Sequence, residues 1–283
     1  MKYTELINNS ILYIEENLQN DIKCQEISEN VGYSLYHFNR MFSSLTGETP
    51  GNYLRKRRLS EASKELKNTT KKILDISLDY CFGSQEAFTR SFKNMFDINP
   101  LEFRNSENLK LKTFEKICIK NYEEFKMLKH RIEKKAKMNL VGLDAHVTGK
   151  NFNYAEVWEN FMKNHYGKVN NKASYFTTAL GIYPENFPEP WEYSYMPSVE
   201  VSKIDDIPMG LSLKTIPESN YIVFTHVGSK EKISDSYDYI YSRGLTELGY
   251  KSASNYDFEY YDQRWNEENP DTSEMEIWIP IIN

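Results

Sequence analysis

Two sets of residues in the first hundred positions carry side chains suited to reading the edges of nucleic-acid bases. Tyr36, Asn39 and Arg40, with Ser43, fall on the polar side of one helical pattern. Gln85, Glu86, Thr89, Arg90 and Lys93 fall on the polar side of a second. Arginine can donate two parallel hydrogen bonds to guanine, Asn and Gln can pair in the same way with adenine, and Lys and Ser suit phosphate oxygens. Glu86 could accept from cytosine, or act against non-specific binding by repelling phosphate. Other chemistries find little support. His37, His130, His146, His165 and His226 show no metal-ligand spacing, and no HExxH, P-loop, GxSxG or GxGxxG pattern occurs. Any amphipathic helix has a polar face, so either set alone reads equally well as the solvated side of a helical bundle.

The elements that position the two sets repeat. Ser34, Phe38, Arg40, Phe42 and Pro50 recur fifty residues later as Ser84, Phe88, Arg90, Phe92 and Pro100. Just upstream, Ile27, Ser28 and Tyr33 recur at an offset of forty-nine as Ile76, Ser77 and Phe82. One residue has been added at the turn of the second copy. Each copy reads as helix, tight turn, helix. Ile22, Ile27 and Val31 form an apolar stripe broken at Gly32. Ser34 offers a capping oxygen, and Phe38, Met41, Phe42 and Leu45 line one face of a helix ending near Gly47. In the second copy Ile73, Ile76, Leu78 and Tyr80 precede a turn at 81–83, Ser84 caps, and Phe88, Phe92 and Phe96 fill the core face. The stretch 50–67 is helical in pattern and joins the two units. A bundle with a solvated face explains neither the repeated turn nor the arginine at the same outward position twice.

These residues carry a resemblance. Residues 21–104 resemble the DNA-binding domain of the AraC/XylS family of bacterial transcription regulators, most closely in GSQEAFTRSFKNMFDINPLEFR at 83–104, and also in VGYSLYHFNRMFSSLTGETPGNYLRKRRLSEA in the first unit. The resemblance implies base contacts from Tyr36, Asn39 and Arg40 in the first recognition helix, and from Gln85, Glu86, Thr89 and Arg90 in the second. Cys81 stands where the family usually has glycine, so a left-handed backbone there would be strained.

Charge does not lead to the same conclusion by itself. The chain of 283 residues has a net charge of −6. Residues 1–104 hold 14 Lys and Arg against 14 Asp and Glu, and residues 128–283 hold 16 against 23. DNA binding by a neutral domain requires charges segregated by face, and the run Arg55-Lys56-Arg57-Arg58 is the expected local source of positive charge. Cys24, Cys81 and Cys118 are far apart and suggest neither a disulfide framework nor a zinc site. No apolar run is long enough for a membrane span and the first residues do not read as a secretory signal, so a cytoplasmic protein without membrane contact is expected.

After residue 105 the composition shifts. Residues 106–127 read as a polar linker, and from Leu128 onward aromatic residues and strand-like alternation increase. The order is strand (139–147), helix (154–165), strands (175–183 and 193–201), then strand (221–227), helix (233–248) and strands (257–264 and 274–281). The expected architecture is an all-α tandem helix-turn-helix domain at 1–105, then an α+β domain at 128–283. The latter has two strand-helix-strand-strand repeats on a curved antiparallel sheet with the helices on one side. The phrases YIVFTHVGSKEKISDSYDYIYSRGLTELGY, DFEYYDQRW and SEMEIWIPI resemble the GyrI-like effector-binding domain.

That resemblance implies a pocket for lipophilic or cationic compounds, walled by aromatic residues and containing an acid. Glu274, Glu276 and Trp278 alternate onto one face of the final strand, and the family pattern favours Glu276 as the buried acid. Trp158, Tyr193, Tyr195, Phe224, Tyr237, Tyr241 and Tyr260 are the candidate walls. The expected partners are double-stranded DNA and a small-molecule effector, with RNA polymerase a further candidate; no cofactor is implied. Two recognition helices make a monomer sufficient, and a homodimer stays open. Two alternatives use the same pocket: a hydrolase in which an acid and a tyrosine act on a bound molecule, or a protein that sequesters it.

Overall fold

The computed structural model describes residues 3–106, 109–119 and 127–282. Contacts divide the chain into two compact units. Met1–Leu35 and Leu45–Tyr122 form the first; Tyr36–Ser44 and Glu123–Asn283 form the second.

The first unit contains α1 (Tyr3–Glu16), α2 (Cys24–Asn30), both ends of α3 (Leu35–Thr46), α4 (Pro50–Asn68), α5 (Ile73–Asp79), α6 (Gln85–Phe96) and α7 (Pro100–Asn105). The repeat is visible in its punctuation. Gly32 has φ +75° and its counterpart Cys81 has φ +59°; Gly47 has φ +74° and its counterpart Asp97 has φ +59°. Thr49 caps α4 by accepting from the Asn52 amide, and Asn99 caps α7 by accepting from the Glu102 amide, each followed by proline at the first helical position. Ser84 caps α6 as expected, accepting from the Ala87 amide at 3.1 Å. Phe88 and Phe92 are fully buried with Leu59, Leu66, Ile76, Tyr80 and Phe103, and each ring contributes about 2–3 kcal/mol by leaving water.

Two expectations change here. The basic run on α4 is largely neutralised. Arg57 is buried and donates to both carboxylate oxygens of Glu15 at 2.8 and 2.9 Å and to Glu61 at 2.9 Å. Lys56 pairs with Glu48, and Arg58 donates to the carbonyls of Leu18 and Asn20. Of the four, Arg55 stands on the exposed side. A helical period of 3.6 turns four consecutive charges in four directions, so they cannot share one surface. The stretch 109–119 is also not a free linker. The Phe114 carbonyl accepts from Arg57, its amide donates to Ser60, and Ile119 exchanges two hydrogen bonds with Asn8. The rest of the expected linker at 107–108 and 120–126 lies outside the described residues.

The second unit is built on an antiparallel sheet of β1 (His130–Lys135), β2 (Met138–Gly142), β3 (Ala145–Thr148), β4 (Thr177–Ile182), β5 (Glu192–Val201), β6 (Ser212–Ile216), β7 (Ser219–Val227), β8 (Lys251–Ser252), β9 (Tyr256–Tyr261) and β10 (Glu274–Ile282). The order is β1-β7-β10-β9-β4-β5-β2-β6, with β3 on β5 and β8 on β10. Two strand-helix-strand-strand units are evident: β2, α8 (Tyr154–Asn160), β4, β5, and β7, α9 (Ile233–Tyr239), β9, β10. They join where β4 pairs with β9. Both helices continue into a π-helical turn, at Phe161–His165 and Ile240–Gly244. The added strands β1 and β6 sit at the sheet edges, where polar sequence and exposure hide them from a search for alternation.

Strand pairing assigns the faces. Directly paired residues point the same way, so Asp257, Glu259 and Tyr261 share a face with Gly181, Ala179 and Thr177 of β4, with Tyr195 of β5, and with Ile277 of β10. Both helices and their π-helical turns cover this face: α8 through Tyr154 and Trp158 with Phe161 of the turn after it, and α9 through Tyr237 with Ile240 and Tyr241 of the turn after it. Leu180, Phe258, Tyr260 and Trp278 take the opposite face.

Candidate functional site

A cavity of ≈ 1180 Å³ opens over the central strands. Its floor is β4, β5 and β9, where Gly181 and Ala179 leave room beside Asp257 and Glu259. A side chain at Gly181 would collide with the Tyr183 ring, its Cβ falling 2.5 Å from the hydroxyl oxygen. Trp158, Tyr154 and Met162 of the α8 segment and Tyr237 of α9 form walls, with Tyr193, Tyr195 and Tyr261 from the strands. The rim carries Glu159, Glu231, Asp238, Glu267 and Glu268 against Lys150 and Lys230.

Asp257 and Glu259 are both buried. Asp257 accepts from Tyr183 at 3.0 Å, Tyr237 at 3.2 Å and Tyr241 at 2.7 Å. Burial pushes its pKa up, opposed by the Arg40 guanidinium and these hydroxyls. Glu259 accepts from Tyr261 at 2.8 Å and Tyr195 at 3.2 Å, and Trp158 donates in turn to the Tyr195 hydroxyl at 2.9 Å. Burial lifts the Glu259 pKa to about 7, and the neighbouring Asp257 adds to the rise. Two buried carboxylates that share one cation, Arg40 on Asp257, and are set among aromatic rings make a site suited to a cationic guest.

Of the walls expected from sequence, Trp158, Tyr193, Tyr195 and Tyr237 line this cavity, and Tyr241 reaches it by donating to Asp257. Phe224 is instead buried in the core beneath α9. Glu276, Trp278 and Tyr260 stand on the opposite face of the sheet, so the expected pocket acid is corrected. Glu276 accepts both arms of Arg131 at 3.0 Å, Arg264 at 2.7 Å and the Trp278 indole at 3.0 Å. Burial would raise its pKa, but the two arginines hold it below the usual carboxylate range, which leaves it a poor general base. The alternation on β10 is real; sequence did not disclose which side the helices cover. Asp257 and Glu259 carried a signal of their own, two acids spaced by two within an aromatic strand.

The residues expected to meet DNA divide sharply. On α6, Gln85, Glu86, Arg90 and Lys93 are exposed and Thr89 is half-buried. On α3, Tyr36 and Asn39 are buried, and the Arg40 side chain is 12% exposed. Instead of facing outward, residues 36–44 group with the second unit. Asn39 donates to the Glu185 carbonyl, His37 accepts from the Ser252 amide, and Arg40 enters the cavity.

Comparison with known proteins agrees with this architecture. The model of the GyrI-like small molecule binding domain matches residues 128–282, and that of a helix-turn-helix domain matches residues 27–106. The multiple antibiotic resistance protein MarA of Escherichia coli (strain K12) is 39% identical over 98 residues, 35% of this chain and 77% of MarA. The transcriptional regulator Rob of Salmonella typhimurium is 38% identical over 106 residues, 38% of this chain and 37% of Rob. A solved structure of SAV2435 bound to tetraphenylphosphonium is 19% identical with a TM-score of 0.44, over 55% of this chain and 95% of that one. The chain therefore belongs to the AraC-type helix-turn-helix regulators and carries a GyrI-like small molecule binding domain.

Proposed function

We propose that this DNA-binding transcription regulator contacts its site through α6 and α3, and that an organic cation held in the cavity modulates that binding. The observation that carries the ligand reading is the pair Asp257 and Glu259, buried in an aromatic cavity with an acidic rim. A cation there recovers Coulomb energy in a medium of low polarity and gains from the faces of the rings. The exposed donors of α6 support the DNA reading. Arg90 is exposed on α6, and a bidentate base contact from it would contribute about 1–3 kcal/mol.

Calorimetry with tetraphenylphosphonium, a lipophilic cation, and triphenylphosphine oxide, a neutral molecule of similar shape, tests the cavity. The cation should bind at least about tenfold more tightly, and Glu259→Gln should remove most of that preference. Equal binding of the two molecules would sink the charge argument. On the DNA side, Arg90→Ala should weaken binding to a duplex selected from a random-sequence pool by about 1–3 kcal/mol and relax its base preference; an unchanged preference would rule out base reading by α6.

A further inference from the structure

The cavity already contains a cation supplied by this chain. The Arg40 guanidinium carbon lies 3.6 Å from the centre of the Tyr241 ring, with Tyr183 at 5.0 Å, Tyr237 at 5.4 Å and Phe187 at 5.5 Å. Nη1 donates to Asp257 Oδ2 at 3.4 Å and to the Tyr36 hydroxyl at 2.8 Å. A carboxylate on one side and ring faces around the charge are what a bound organic cation would require. The internal repeat makes the placement pointed. Arg90, at the equivalent position of α6, is exposed, whereas the Arg40 side chain is 12% exposed. One guanidinium cannot stack on Tyr241 and also donate to a guanine edge.

We propose that Arg40 is a tethered competitor of the effector: it occupies the cation subsite on Asp257 and thereby withholds Tyr36, Asn39 and Arg40 from DNA until an effector cation displaces it. The inference rests on the reading of the cavity as a cation site and of α3 as a DNA-contacting helix, and it adds the sign of the coupling. Effector and DNA both favour the state in which Arg40 has left the cavity, so each strengthens the other. Without effector, DNA affinity is reduced by the small fraction of molecules in that state. The effector meets a rival at the high effective concentration of an attached group, so its measured affinity understates its fit to the empty subsite. The chemical class follows from the cage: a guanidinium, amidinium or similar flat cation bearing apolar substituents.

The test uses the full chain and two arms. Asp257→Asn keeps the side-chain shape and removes the charge that holds Arg40, and Tyr241→Leu removes the ring nearest the guanidinium. Anisotropy with a fluorescent duplex selected from a random-sequence pool should show about tenfold tighter binding for Asp257→Asn, and a smaller gain for Tyr241→Leu. If both variants melt like the wild type and bind within about twofold of it, the proposal is overturned. The second arm needs no DNA. Arg40→Met empties the subsite, and phenylguanidinium should bind this variant about tenfold more tightly by calorimetry. Equal, weaker or absent binding overturns the proposal at the cavity. Success there, with no duplex bound by any variant, overturns the coupling and places the fault in the reading of α6 and α3 as DNA-contacting helices; success there, with duplex bound equally by all variants, overturns the coupling and places the fault in the reading of α3 alone.

Discussion

If Glu259 is the ionising wall of a cation site, cation affinity must depend on pH near neutrality. Its carboxyl is lifted from an ordinary 4.5 to about 7, first by burial and then by Asp257, against the hydroxyls of Tyr261, Tyr195 and Tyr237. A guest held by its negative form meets that form in roughly 10% of molecules near pH 6 and roughly 90% near pH 8. Affinity for tetraphenylphosphonium should therefore rise about tenfold across this interval, equivalent to about 1.4 kcal/mol. Stability should move the other way. An acid whose native pKa is raised binds its proton more tightly when folded, so its contribution is fully present below about pH 4.5. It is lost as pH rises through about 7, a change on the order of 3 kcal/mol. Calorimetric titrations and urea unfolding of the full chain between pH 5.5 and 8.5 measure both trends. Glu259→Gln should flatten the affinity profile and raise stability at pH 8. Asp257 shares the cavity and helps to raise Glu259, so Asp257→Asn is the control, in which the slope must persist with its midpoint moved to lower pH. A slope that survives in Glu259→Gln, or a flat wild-type profile, would refute the assignment.

Two further outcomes follow from the geometry. Cys81 occupies the left-handed region at φ +59°, which costs a residue with a Cβ about 1–2 kcal/mol, while its sulfur gains only a 3.3 Å contact to the Gln19 carbonyl. Cys81→Gly should raise stability by about 0.5–1 kcal/mol in urea unfolding after the glycine's unfolded-state entropy is subtracted; a drop would show that the thiol contact outweighs the strain. Glu276→Gln should lower stability by about 1–2 kcal/mol, a modest figure because Arg131 and Arg264 are 44% and 37% exposed, and should leave cation binding intact. Loss of cation binding equal to that of Glu259→Gln would return Glu276 to the ligand site.

What sequence alone determined was what repeats and periodicity can encode. The fifty-residue self-match, the capping Ser84 and the left-handed turn at Cys81 are local matters, because a cap or a positive φ depends on a few neighbouring residues. The two strand-helix-strand-strand units were legible for the same reason, from alternation and helical period over single segments. Edge strands such as 130–135 were not, since an exposed edge needs no apolar alternation. The choice of sheet face was decided only in the tertiary structure. Period two sorts Glu276 from Ile277 and Asp257 from Phe258, but which set meets the helices depends on packing across the sheet. Arg40 shows the same limit most plainly. Its spacing marks it as the outward partner of Arg90, yet a carboxylate 217 positions away and the tyrosines around it decide where its charge lies.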